Sequence, residues 1–184
     1  GGFHLLEIAT ADVSRLLNAY LDRGGNYIET AAGYGAGASE KKIGATVAGR
    51  RREFILATKS VERTREGYLR NVESSLRNLR TDAVDIVFFH SVQTPADADR
   101  ILGPGGALEG ALEAQRAGKL RLIGITGHGR PHSLLHAVRR HTFDVLMTGF
   151  NYFDRCNFPE AELELLPLCL SKGTGVLAMK ALAD

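Results

Sequence analysis

The 184 residues, 44% of them hydrophobic, suffice for one domain with a sizeable core and are too few for two ordinary domains. The 23 Lys and Arg residues nearly balance the 21 Asp and Glu residues, which argues against a nucleic-acid partner or an acidic tail. No apolar run approaches the roughly 18 residues of a membrane-spanning helix, and no signal-peptide pattern opens the chain. We therefore expect one domain over residues 1–184, without a membrane partner.

The cysteines and two histidines give little sign of a metal site. Cys156 and Cys169 lack the spacing of metal ligands or of a CxxC motif, which favours a reducing, cytoplasmic location. His132 and His136 are four residues apart, but they fall opposite the apolar side chains of their predicted helix. No carboxylate or cysteine joins them in the sequence pattern, so we expect both to face solvent and predict no metal.

Short apolar runs alternate with amphipathic segments at intervals of roughly 25 to 35 residues, a pattern typical of βα units and a parallel sheet. The runs are apolar throughout, as expected of strands that are buried on both faces. The opening stretch GGFHLL could be the end of a further strand. The predicted strands are residues 26–29, 53–59, 84–90, 121–126, 144–149 and 175–180.

Helices are predicted between these strands. An apolar stripe over residues 64–80 indicates a helix with Thr64 as its N-cap. Gly118 is placed to end a helix over residues 107–117, and Pro131 suits the first turn of the next helix. The chain thus holds about seven of the eight units of a (β/α)8 TIM barrel, so the predicted fold is α/β, an incomplete barrel.

The stretch YIETAAGYGAGASE, residues 27–40, contains the G-x-G-x-x-A pattern of a dinucleotide-binding turn. That turn requires an acidic residue at the end of the next strand, where this sequence has Lys59. We therefore expect Gly35 and Gly37 only to shape a turn, and Ser39 to cap the helix that follows.

Polar side chains stand at the carboxyl ends of the first three predicted strands, which point to the same rim in a parallel βα protein. They are Glu29, Lys59 and His90, and Tyr34 lies in the loop just after Glu29. Each alone is ordinarily a solvated charge, a packed ring or a core histidine. Together they are harder to dismiss, because a buried Lys–carboxylate pair costs stability unless it is used.

The four residues suit the protonation of a developing alkoxide. A tyrosine hydroxyl has a pKa of about 10, and a nearby ammonium such as that of Lys59 is expected to lower it. Glu29 would hold that ammonium in place, and His90 could donate to a substrate oxygen. This chemistry fits the reduction of a carbonyl group by hydride transfer.

Five stretches give the sequence a specific likeness, and the chain resembles an aldo-keto reductase. The spacings of Glu29, Tyr34, Lys59 and His90 match that family's Asp, Tyr, Lys, His tetrad, and TGHG and AMK are similar to the bacterial and archaeal branch that includes iron–sulfur-domain members. The stretches are GGNYIETAAGYGAGASEKKIG, FILATKS, ESSLRNLRTDAVDIVFFH, AGKLRLIGITGHG and GTGVLAMKALA.

The resemblance implies a (β/α)8 barrel that uses NADPH, less often NADH, to reduce a small-molecule aldehyde or ketone. Tyr34 would be the general acid, Lys59 would depress its pKa, and His90 would orient the carbonyl group. Glu29 stands where the family usually has Asp. The implied cofactor-binding residues are Thr126, Gly127, His128, Met147, Met179 and Lys180.

The resemblance also implies that the chain is truncated at both ends. The hairpin that closes the barrel would precede Gly1, and the last helix, strand and helix would follow Asp184. A second hypothesis is therefore a catalytically silent barrel that serves as a regulatory or assembly subunit. The sequence also leaves open whether the chain forms a homo-oligomer. The loop of residues 151–154 could line the pocket or be an ordinary connection.

Overall fold

A computed structural model describes residues 2–182, which form six strands with helices between them. The strands are β1 (Tyr27–Glu29), β2 (Ile55–Ser60), β3 (Val84–Phe89), β4 (Leu120–Thr126), β5 (Val145–Gly149) and β6 (Gly175–Met179). The α-helices are α1 (Thr10–Asp22), α2 (Ala38–Val47), α3 (Arg65–Leu79), α4 (Pro95–Leu102), α5 (Ala107–Arg116), α6 (His132–Arg140), α7 (Tyr152–Asn157) and α8 (Leu166–Ser171). Two 3-10 segments, Gly2–Glu7 and Ala48–Glu53, and a π-helical turn, Ala161–Leu165, complete the elements.

All six strands are parallel and pair in chain order from β1 to β6. Side chains of one parity from non-adjacent strands meet in a single inner cluster that includes Phe88 and Met147, with Tyr27 and Met179 packed against it. Since strands at the two edges share this cluster, the sheet curls around it. The expected incomplete (β/α)8 barrel is confirmed, with six strands among the described residues.

Side chains of the opposite parity pack against the helices in a larger cluster. Phe89 is fully buried there and contacts Tyr68 of α3, with ring centroids 5.2 Å apart. Burial of each such ring contributes about 2 to 3 kcal/mol. The two cores together fix which strand residues point inward, and therefore which polar side chains reach the rim.

The expectation that GGFHLL ends a strand is wrong. Residues Gly2–Glu7 form a 3-10 helix, and no strand precedes β1 in the described part of the chain. The carbonyl groups of Leu5, Leu6 and Ile8 accept hydrogen bonds from Nζ of Lys42, at 2.8, 3.0 and 2.6 Å. These acceptors are satisfied by one side chain and need no neighbouring strand.

Two predicted helix ends are confirmed, and a third residue, expected in the first turn of its helix, is instead the N-cap. Thr64 caps α3, and its Oγ1 accepts from the amide of Gly67 at 3.2 Å. Gly118 has a φ of 72° just beyond α5, where a left-handed residue ends a helix cheaply. Pro131 immediately precedes α6, and its carbonyl accepts from the amide of Leu135.

The predicted cap of α2 is wrong. Gly37, with a φ of 87°, is the N-cap, and Ser39 lies inside the first turn. The Ser39 hydroxyl accepts from Oγ1 of Thr30 at 2.8 Å and donates to the carbonyl of Gly2 at 2.7 Å. It therefore links the end of β1 to the N-terminal 3-10 helix. Among residues 2–182, no helix is long and apolar enough to cross a membrane.

Candidate active site

The carboxyl ends of the strands bring the predicted polar residues to one rim of the sheet. In the register, Glu29 pairs with Ala57 and Lys59 pairs with Phe88. Ala57 and Phe88 belong to the inner cluster. Residues that are paired across neighbouring strands point to the same face of the sheet. Glu29 and Lys59 therefore point inward, at the same end of the curled sheet. His90 follows β3 directly, and its amide donates to the carbonyl of Ser60 at 2.8 Å.

Lys59 and Glu29 form a buried ion pair. The Lys59 ammonium donates to Oε1 of Glu29 and, at 3.0 Å, to the carbonyl of Thr30. The Lys59 side chain is 3% exposed and that of Glu29 is 20% exposed. Burial lowers the pKa of Lys59, while the charge and hydrogen bond of Glu29 oppose that shift. The glutamate at the family's aspartate position therefore does reach the lysine.

Tyr34 projects from a tight turn after β1. Its amide donates to the carbonyl of Ala31 at 3.0 Å, and Gly35 and Gly37 have φ angles of 59° and 87°, as a turn-forming role requires. The ring centre of Tyr34 lies 5.1 Å from Nζ of Lys59. The turn thus delivers the phenol to the lysine of the ion pair.

The pKa of Tyr34 is raised, first by burial and second by the negative charge of Glu29. The net shift is therefore upward, and the lowering expected from the Lys59 ammonium does not reverse it. The physical reason is charge pairing: the ammonium contacts the Glu29 carboxylate, so the pair presents little net positive charge to the phenol. Tyr34 is consequently protonated at neutral pH.

His90 stands across from Tyr34, and the two ring centroids are 5.8 Å apart in an edge-on arrangement. Burial lowers the pKa of His90 to about 4, with further lowering by the charges of Lys59, His128 and Arg63. Its Nδ1 is buried and has no hydrogen-bond partner among the described residues. A neutral imidazole can donate one hydrogen bond from one ring nitrogen and accept one at the other.

The residues implied for cofactor binding fall into two groups. Thr126 and Met147 are buried and pair across β4 and β5, while Met179 packs on the same inner cluster. His128 and Lys180 are instead exposed and line a cavity of about 520 Å³ at the strand ends. Thr126, Met147 and Met179 therefore lie within the curled sheet, whereas His128 and Lys180 lie in the wall of the cavity.

One feature of the buried group favours a bound molecule. The Thr126 hydroxyl is buried and finds no partner in the described part of the chain. Gly127 is required by packing instead, because a Cβ there would lie 2.8 Å from the carbonyl of Val92. The loop of residues 151–154 does line the cavity, with Asn151, Phe153 and Asp154.

Phe3 and Arg63 also reach the rim, and sequence reasoning missed both. The ring centroid of Phe3 lies 5.7 Å from that of Tyr34, and Nη2 of Arg63 donates to the carbonyl of His90 at 2.8 Å. Neither contact leaves a local sequence signal, because the partners are distant in the chain. The search for polar residues at the carboxyl ends of strands does not find them, because neither residue lies at the end of a strand.

The histidines of α6 show no metal arrangement. His132 is exposed, whereas Nε2 of His136 lies 2.7 Å from Oδ1 of Asp99 on α4. The expectation that no carboxylate joins the pair is thus wrong. Asp99 also binds Arg140, and the described residues hold no group of three His, Cys, Asp or Glu suited to a metal ion.

The sequence profile of the aldo/keto reductase family matches residues 1–184. The chain belongs to this family. An uncharacterized oxidoreductase of Bacillus subtilis, YqkF, is 29% identical over 163 residues, covering 82% of this chain and 50% of its own length. The chain thus spans about half the length of this relative.

Solved aldo/keto reductase structures share the fold. A putative aldo-keto reductase from Pseudomonas aeruginosa superposes with a TM-score of 0.80 at 25% identity, covering 96% of this chain and 68% of that one. An aldo-keto reductase from Klebsiella pneumoniae, solved in complex with NADPH, gives a TM-score of 0.75 at 23% identity, covering 92% and 57%.

Proposed function

We propose that this aldo/keto reductase chain reduces an aldehyde or ketone to an alcohol, with Tyr34 as the proton donor and NADPH as the reductant. One observation carries the proposal. The buried Lys59–Glu29 pair lies against the Tyr34 ring, and His90 faces the same ring from the next strand. Such a group of titratable side chains on a barrel rim, with shifted pKa values at Tyr34, Lys59 and His90, is suited to proton transfer.

The residues present fit a nicotinamide cofactor. The unpartnered Thr126 hydroxyl offers a hydrogen bond to a carboxamide, and Met147 and Met179 offer polarisable contacts to a ring. Lys180 and His128 line the adjacent cavity, where a positive charge suits phosphate groups. When bound, the reduced nicotinamide supplies the hydride. The aldo-keto reductase from Klebsiella pneumoniae was solved in complex with NADPH, which supports this assignment.

The protein's own groups handle the proton. Tyr34 keeps its proton at neutral pH because burial raises its pKa, so it can donate to an oxygen that becomes strongly basic. Neutral His90 holds that oxygen by an N–H donor without competing as an acid, since its pKa is about 4. The phenolate that remains lies beside the Lys59 ammonium and regains its proton from solvent.

Two measurements test this function. Fluorescence titration of the chain with NADPH should show saturable binding, and NADPH should be consumed with 4-nitrobenzaldehyde as a generic substrate. Saturable binding together with turnover supports the reductase. Binding without turnover would favour the alternative, a silent barrel that acts as a regulatory or assembly subunit, and the absence of both would overturn the proposal.

A further inference from the structure

Arg63 lies in the loop between β2 and α3 and reaches across to the end of β3. Its Nη2 donates to the carbonyl of His90 at 2.8 Å and to the carbonyl of Ser91 at 3.2 Å. The side chain is only 14% exposed. One guanidinium nitrogen therefore holds two successive carbonyl groups next to the proposed active site, and a charged donor makes both hydrogen bonds strong.

The backbone held in this way has an unusual conformation. Ser91 has a φ of 54°, a left-handed value that a residue with a Cβ seldom adopts. Directly after it, the amide of Val92 donates to the carbonyl of Thr126 at 2.9 Å. The chain thus turns sharply between His90 and Val92, and such a conformation persists only where surrounding contacts enforce it.

Arg63 is itself held from two sides. The amide of Ala107 donates to its carbonyl group at 3.0 Å, which fixes the backbone of the loop. Oδ1 of Asp97 lies 3.7 Å from its Nε. Oδ2 of the same carboxylate accepts from the amides of Gln93 and Thr94 at 3.3 and 3.2 Å. Arg63 and Asp97 therefore brace both ends of the loop that follows His90.

We propose that Arg63 is a positioning residue, whose guanidinium fixes the backbone of His90 and Ser91 and so sets the direction of the His90 imidazole toward Tyr34. This assignment rests on the proposed role of His90 in the reductase. Arg63 reaches the site through the carbonyl groups of His90 and Ser91, so its effect passes through His90. A small misplacement of an orienting group can lower turnover about 100-fold.

The test compares Arg63→Met and Arg63→Lys with Arg65→Met as a matched control. Arg65 lies two residues away and binds Glu113 and Glu66 on the helix side, 2.5 and 3.2 Å from its guanidinium nitrogens. We expect Arg63→Met to lower kcat about 100-fold with an unchanged Kd for NADPH. Arg63→Lys should lose less, and added ethylguanidinium should partly restore Arg63→Met.

A second readout needs no turnover. In NMR spectra of protein labelled at histidine, the His90 imidazole signals, assigned with His90→Gln, should shift in Arg63→Met and stay in place in Arg65→Met. The pKa of His90 should also rise from about 4, because Arg63 is one of the charges that lower it, along with Lys59 and His128. The Tyr34 ring also faces this imidazole.

The outcomes separate the positioning role from the proposed reductase. If wild-type protein fails to turn over, the His90 signals still decide whether Arg63 positions that ring. Should Arg63→Met fail to fold, Arg63→Lys gives the same comparison. The proposal is overturned if the folded variants keep the wild-type His90 signals and pKa, whether activity is retained or lost without rescue.

Discussion

Lys59 places its ammonium 5.1 Å from the ring centre of Tyr34 while it donates a hydrogen bond to Glu29. The lysine is thus shared between a carboxylate and a phenol. The net charge that this ion pair presents to the phenol affects the pKa of Tyr34. Burial, and second the charge of Glu29, raise the Tyr34 pKa, and the paired ammonium does not reverse that direction.

Substitutions of the two partners should move the Tyr34 pKa in opposite directions. Lys59→Met leaves the Glu29 charge unpaired beside the phenol and should raise the pKa of Tyr34 further. Glu29→Gln leaves the Lys59 charge unpaired and should lower that pKa, in both cases on the order of one unit. Ultraviolet titration of phenolate formation measures both shifts. The titration curve of a Tyr34→Phe variant is subtracted to remove the signal of the other tyrosines. Shifts in the same direction would refute the account.

His90 should make the fold sensitive to acid. Its pKa is about 4 in the fold and 6.5 ordinarily, so the unfolded chain binds more protons between those values. The free energy of unfolding should therefore fall as pH drops from 6.5 to 4, by up to about 3 kcal/mol from this group. His90→Gln should lack this part of the fall in the free energy of unfolding at low pH. Urea unfolding at pH 4.5 and 7.5 checks this, and equal losses in both proteins would argue against a buried neutral imidazole.

The barrel interior should not tolerate a side chain at Gly124. A Cβ there would lie 2.3 Å from the Phe88 ring, which is fully buried and has no room to move away. Gly124→Ala should lower the free energy of unfolding by about 1 to 3 kcal/mol. Gly49→Ala is the control, because nothing lies within 4 Å of its Cβ position. Urea unfolding of both variants gives the comparison, and equal stabilities would contradict the packing described.

The strands and the rim residues were predictable because they follow from short-range patterns. Runs that are apolar throughout indicate parallel strands, and parallel strands place their carboxyl ends together. That reasoning gave all six strands to within two residues and brought Glu29, Lys59 and His90 to one rim.

Contacts between distant parts of the chain were not predictable. Ser39 has the chemistry of an N-cap, yet its hydroxyl bonds to Thr30 and Gly2. The Tyr34 pKa depends on how completely Lys59 is paired with Glu29, which spacing does not reveal. Arg63 stands in a polar loop and shows its role only once β3 ends beside it.

The most direct test of the proposed function is Tyr34→Phe, with Tyr20→Phe as the matched control. Tyr20 lies on α1, where its hydroxyl donates to the carbonyl of Tyr27 at 3.1 Å. NADPH consumption with 4-nitrobenzaldehyde should fall by at least about 100-fold in Tyr34→Phe, because the proton donor is gone, while NADPH binding stays within twofold. Tyr20→Phe should match wild type. Turnover of Tyr34→Phe equal to that of Tyr20→Phe would contradict the assignment of Tyr34 as the acid.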